Sequence, residues 1–230
     1  MRLLSLLRPL RLALLSLGLC LLAACGRPPR AVTTAASVPP PAAARGAAPR
    51  EADEYTRYEL LDPESARFHI LYEVTATEPG ATAFFNPIRK GSLASDESVR
   101  DQATAQSLPF EVVSGAQARA SGLPDADLDT NYIRIHLPRQ VPAEGGVRLL
   151  IEKTYQDAKS YFREGADRIV FSRPLGIRRN AIVLPLGYEL IGCNVPSQVL
   201  TEPDGRIAVS FMHTGPEPAP LVLKARRLGK

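Results

Sequence analysis

The chain has 230 residues, with 28 Lys and Arg against 24 Asp and Glu, three Cys, three His and no Trp. Seven of the cations and none of the acids fall in the first 50 residues, so residues 51–230 hold 21 cations against 24 acids and are mildly acidic. A nucleic-acid binder needs its basic residues on the folded part, so that class is excluded, and a chain without Trp makes a poor sugar platform.

Arg2, Arg8 and Arg11 precede an uncharged, mostly apolar run of 13 residues from Leu12 to Ala24 that ends in small side chains. That is the layout of a secretory signal peptide. The run falls short of the roughly 20 residues that a membrane-spanning helix needs. Leu22-Ala23-Ala24-Cys25 then resembles the lipobox of bacterial lipoproteins. The resemblance implies that segment 1–24 is removed and that Cys25 becomes the acylated first residue, carrying a diacylglycerol on its sulfur and a palmitate-type chain on its nitrogen. Each buried CH₂ contributes about 0.8 kcal/mol, and two or more chains anchor stably where one does not. In the same family an Asp after the Cys retains the protein at the inner membrane. Gly26 stands there instead, which implies the outer membrane, facing the periplasm. With Cys20 removed and Cys25 acylated, Cys193 is the one remaining thiol and no intrachain disulfide forms.

Residues 26–50 contain six Pro, eight Ala and four Arg, with no acid and no aromatic residue. Such a composition buries too little apolar surface to offset the entropy of ordering. Residues 25–54 are therefore expected to be a disordered tether spanning roughly 30 Å as a coil. Its arginines suit anionic lipid headgroups.

The remainder, 55–230, is long enough for one core and reads as strands. Apolar residues alternate with polar ones over Arg67–Thr77, Tyr132–Leu137 and Val147–Tyr155, where Val147, Leu149 and Ile151 mark one face. Further strands are predicted at Thr82–Asn86, Pro109–Ser114, Arg168–Ser172, Asn180–Leu184, Tyr188–Cys193, Gln198–Thr201, Ile207–Met212 and Leu221–Ala225. Pro203-Asp204-Gly205 is a hairpin turn, since Pro presets its first corner and Gly permits positive φ. Thr154–Glu164 is expected to be a short helix or an ordered loop. The whole predicts an all-β fold, a single antiparallel β-sandwich of the Ig-like or a related kind. The outline is similar to noncatalytic sandwich modules that accompany secreted bacterial enzymes.

Three stretches carry candidate site chemistry. Asp125, Asp127, Asp129 and Asn131 set oxygen-bearing side chains at alternate positions, as hard cations such as Ca²⁺ require. The start resembles an EF-hand loop but departs from it where Thr130 replaces the turn Gly and His136 replaces the bidentate Glu. Arg173, Arg178 and Arg179 surround Pro174-Leu175-Gly176, and guanidinium forks suit carboxylate or phosphate. The loop from Asn86 to Ser92 follows an aromatic strand and is placed for recognition. Tyr155, Tyr161 and Phe162 add aromatic surface. His69, His136 and His213 are scattered over separate strands, and no nucleophile elbow, zinc motif or phosphate loop is present.

These features predict a lipid-anchored envelope protein with no cofactor beyond the lipid on Cys25, acting as a noncatalytic binding or scaffolding module. Its partners would be the membrane and another envelope protein. The rival expectations are a lipid-anchored periplasmic hydrolase and a Ca²⁺-ordered interaction module.

Overall fold

Period-two alternation from residue 55 onward gives 14 strands in the computed structural model, which describes residues 53–229. The signal peptide, Cys25 and the tether as far as residue 52 lie outside the described residues, whereas its last two residues, Asp53 and Glu54, are described and contact Arg148, Arg179 and Tyr72. Seven strands form one sheet in the order β12 (Gln198–Thr201), β13 (Ile207–Met212), β10 (Arg179–Val183), β1 (Tyr55–Leu60), β2 (Arg67–Ala76), β7 (Val147–Gln156) and β4 (Leu93–Asp101). A four-stranded sheet runs β11 (Tyr188–Cys193), β14 (Ala219–Arg227), β9 (Arg168–Leu175) and β8 (Tyr161–Glu164). The third sheet runs β3 (Ala83–Pro87), β6 (Asn131–His136) and β5 (Phe110–Ser114). Every pairing among these strands is antiparallel except that of β1 with β10, which is parallel.

The sheets face one another across rings and aliphatic side chains. Phe68 on β2 meets Phe171 on β9 edge-on at 5.3 Å between centroids, and Tyr58 on β1 lies 5.6 Å from the same ring. Around them Leu149, Ile151, Ile169, Ile182, Leu221 and Leu223 are fully buried. Each such side chain contributes about 1.5–3 kcal/mol through removal from water. β6 serves two layers, because Ile133 and Ile135 join this core while Tyr132 joins Val113, Ala118 and Ala126 in a smaller one beneath helix α1 (Gly115–Ala120). The fold is all-β and sandwich-like, as the alternation predicts.

On the outward face of the seven-stranded sheet the polar members of each strand pair across strands. Arg57 makes a two-pronged contact with Glu202 at 2.6 and 2.7 Å, Arg206 reaches Glu59 at 3.2 Å, and Arg148 reaches Glu73 at 2.7 Å. Cross-strand pairs of opposite charge suit register more than they add stability.

Three strands and the helix depart from the sequence expectation. β1 carries its buried row on Thr56, Tyr58 and Leu60 directly after the tether composition ends. β4 is an edge strand, bulged between Ser95 and Ser98, with one buried apolar residue, Val99. Thr154–Glu164 contains no helix. It is the end of β7, a turn and β8, and the Asp157 carboxylate holds the turn by accepting from the Lys159 and Ser160 N–H groups and the Ser160 hydroxyl.

Candidate functional site: a buried cationic pocket

The pocket begins with two strands whose inward rows change chemistry. β7 places Val147, Leu149 and Ile151 inward, and the next inward positions are Lys153 and Tyr155. β9 places Ile169 and Phe171 inward, then Arg173 and Leu175. Because a strand's side chains alternate between faces, both cations are carried into the sandwich by the same periodicity that buries their apolar neighbours. Lys153 is 4% exposed and Arg173 6%.

Together they border a pocket of about 280 Å³. Its apolar wall comes from Tyr58, Ile70, Tyr72, Leu175 and Ile177, and its rim from Pro87, Arg89, Pro174 and Gly176. Thr56, Asn86 and Tyr155 complete the lining, so three cations and no carboxylate face the space. The mouth is tied across, since the Arg89 N–H donates to the Tyr155 hydroxyl at 3.2 Å and Arg89 Nη1 donates to the Pro174 carbonyl at 3.2 Å.

Rings offset part of the cost of burying the two charges. The Arg173 guanidinium carbon lies 5.2 Å from the Phe68 centroid, 5.6 Å from that of Tyr58 and 5.7 Å from that of Tyr155. Lys153 Nζ lies 5.1 Å from the Tyr155 centroid, so one ring serves both cations. Contacts within about 6 Å of a ring face are attractive for a cation. Hydrogen bonding is less complete: Lys153 Nζ donates to Asn86 Oδ1, whereas Arg173 Nε and Nη1 are buried without a hydrogen-bond partner. A buried guanidinium in that state is costly.

The same surroundings move proton affinities. Burial, and then the nearby Arg173 charge, pull Lys153 down to about 8 against a weaker upward pull from Glu97. Burial also lowers Arg173, and it raises the Tyr58 and Tyr155 hydroxyls. Tyr72 is raised by burial and then by Glu54, whose carboxylate accepts its hydroxyl proton at 2.8 Å.

Two of the sequence candidates converge here. Asn86, Pro87 and Arg89 from the recognition loop and Arg173, Pro174 and Gly176 from the arginine cluster line opposite sides of the one pocket. Arg178 and Arg179 lie elsewhere. Arg179 pairs with Asp53 and donates to the Glu54 carbonyl at 3.1 Å, and the exposed Arg178 presents its own carbonyl to the His213 N–H at 2.8 Å. Of the aromatic set, Tyr155 lines the pocket, while Tyr161 is in the core with its hydroxyl on the Leu61 carbonyl at 2.9 Å.

Asp125, Asp127, Asp129 and Asn131 are all exposed. Asp127 accepts from the Asp129 N–H at 2.9 Å and the Thr130 hydroxyl at 3.2 Å, and Lys90 Nζ sits 2.9 Å from it. Among the described residues no three His, Cys, Asp or Glu side chains are grouped to hold a metal ion.

Lys153, Tyr58 and Tyr72 belong to no motif. Their signal lies in the alternation itself, since extending the row Val147, Leu149, Ile151 by two residues lands on a lysine. No protein family's sequence profile matches the chain, and no curated protein matches it. The fold is similar to the M1 zinc metallopeptidase from Deinococcus radiodurans at 13% identity and TM-score 0.46, covering 77% of this chain and 42% of that one. A mutant of that enzyme gives a TM-score of 0.47 with the same identity and coverage. The chain thus spans under half the length of those structures, and no residue of theirs is carried over to it.

Proposed function

We propose that this protein is a lipid-anchored, noncatalytic binding module of the bacterial cell envelope, held at the periplasmic face of the outer membrane through Cys25, and that its pocket receives a small organic anion. The observation that carries the ligand class is the lining, in which Lys153, Arg173 and Arg89 stand with no carboxylate among the lining residues and the Arg173 guanidinium has unpaired N–H groups between aromatic walls. An anionic head answers the cations. An apolar body of a few carbons answers Ile70, Leu175 and Ile177, within a volume near the lower end for small-molecule sites.

Calorimetry on the full chain, comparing hexanoate and benzoate with hexanamide and benzamide, tests the ligand class. The carboxylates are expected to bind and the neutral amides to bind at least tenfold more weakly. Arg173→Met is expected to remove the preference. Equal binding of acid and amide, or an unchanged preference in Arg173→Met, would sink the assignment.

A further inference from the structure

The chain has five lysines, and their surroundings differ sharply. Lys90 is exposed and sits 2.9 Å from Asp127, Lys159 is exposed, Lys224 pairs with Glu164 at 2.7 Å, and Lys230 lies outside the described residues. Lys153 alone among the described lysines borders a pocket and is buried, with the neutral amide oxygen of Asn86 as its acceptor. A lysine serving only as a positive charge is better placed in water or on a carboxylate. Enclosure in an apolar pocket beside a second cation is the setting that turns a lysine into an amine nucleophile.

We propose that Lys153 captures small oxo-carboxylates covalently and reversibly, its Nζ condensing with the ligand's carbonyl while Arg173 holds the carboxylate. The idea rests on the anion-pocket reading and adds a bond to it. The lone pair of Nζ attacks the carbonyl carbon to give a carbinolamine. Expulsion of the former carbonyl oxygen with both nitrogen hydrogens then leaves an imine and one water. No oxidant or reductant enters, and water reverses the step. Tyr155 brings the amine, at 5.1 Å, and the guanidinium, at 5.7 Å, to a single ring. Asn86 Oδ1 aims the amine.

Proton affinity agrees with this geometry. An ordinary lysine near pH 8 is neutral in well under about one molecule in a hundred, whereas Lys153, at about 8, is close to half amine there. The groups facing it are Arg173 from β9, Glu97 from β4, Arg89 and Asn86 from the β3 end and its loop, and the hydroxyls of Tyr58, Tyr72 and Tyr155. Glu97 is the one acid acting on it, and it opposes the shift.

The test treats the full chain at pH 8 with pyruvate, acetoacetate or levulinate plus cyanoborohydride and maps the reduced adduct by peptide mass spectrometry. At least one acid is expected to label Lys153 tenfold or more above Lys90 and Lys159. Saturating hexanoate is expected to suppress that label, butanone to show no such enrichment, and Arg173→Met to lose most of it. Labelling spread evenly over the exposed lysines overturns the proposal. If hexanoate and the oxo acids bind but no adduct forms on Lys153, the covalent step is wrong and the anion pocket stands. If no carboxylate binds at all, both fall together. The hexanoate competition is made on the unsubstituted chain, so the outcome does not depend on whether Arg173→Met folds.

Discussion

An ammonium moved out of water with only an amide oxygen for company costs the folded state free energy, and Lys153 shows how much. Its proton affinity falls from an ordinary 10.5 to about 8, which corresponds to roughly 3 kcal/mol. The sign follows from proton counts. Below pH 8 folded and unfolded chains both carry the proton, and the folded one bears the full penalty. Between about 8 and 10.5 the unfolded chain holds more protons, so stability rises with pH, and above that the penalty is gone. Lys153→Met is therefore expected to raise stability at pH 7 by about 2 kcal/mol, after subtracting about 1 kcal/mol for the Asn86 oxygen left without its donor. The gain should vanish near about pH 10 and turn into a loss of about 1 kcal/mol above it, as read by denaturant midpoints of the two proteins side by side. The buried tyrosines titrate in both and cancel in the difference. A gain that persisted unchanged at high pH would mean that Lys153 titrates alike in the folded and unfolded chains and that the gain comes from packing. The pair is half legible in the sequence: Arg173 stands out as one of three clustered arginines, whereas Lys153 hides because it falls just past the end of an apolar row. That Arg173 turns inward depends on its phase in β9, and that phase comes from pairing with β14 rather than from the local residues.

At the scale of elements, the acidic stretch around Asp127 has a packing role that its composition conceals. Helix α1 is held by a reciprocal cap between Ser114 and Gln117 and lies so close to the loop that a Cβ on Gly115 would fall 2.0 Å from the Asp127 carbonyl oxygen and 2.7 Å from Leu128 Cα. Both obstacles are backbone, and the Asp127 N–H is itself fixed on the Tyr132 hydroxyl at 2.8 Å. Gly115→Ala is expected to push the helix off the small core of Val113, Ala118, Ala126 and Tyr132 and to cost about 1–3 kcal/mol, measurable as a lowered denaturant midpoint. An unchanged midpoint would show that the loop yields freely. A helix of six residues has too few turns to print a 3.6 period, which is why α1 is invisible in the sequence. β4 escapes for another reason: an edge strand with one buried apolar residue and a bulge has no period of two to read. Long strands paired on both sides, such as β2 and β7, bury one face along their length and are legible almost to the residue.

For the whole molecule, anchorage and folding should be separable. Cys25→Ala is expected to move the protein from the membrane to the soluble periplasmic fraction or to leave the signal uncut. Full membrane retention of a cleaved mutant would remove the lipid anchor from the reading. Deleting residues 30–48 is expected to leave the melting temperature unchanged, because the core begins with β1. The net negative charge of residues 51–230 and the acid-free tether then divide the labour. On the proposed reading the tether's arginines would face anionic headgroups, while in the folded part Lys153 and Arg173 are held inside, where an anion must enter the sandwich to reach them.

The first strand of the domain does not lie at a sheet edge. β1 is hydrogen-bonded to β2 on one side and parallel to β10 on the other, in the middle of seven strands. A pull directed along β1 loads both ladders in shear, so their hydrogen bonds resist together instead of opening one after another from an end. The first strand also supplies Thr56 and Tyr58 to the pocket. A pull on the residues before Tyr55 would therefore enter the sandwich at its middle and pass at once from β1 to β2 and β10.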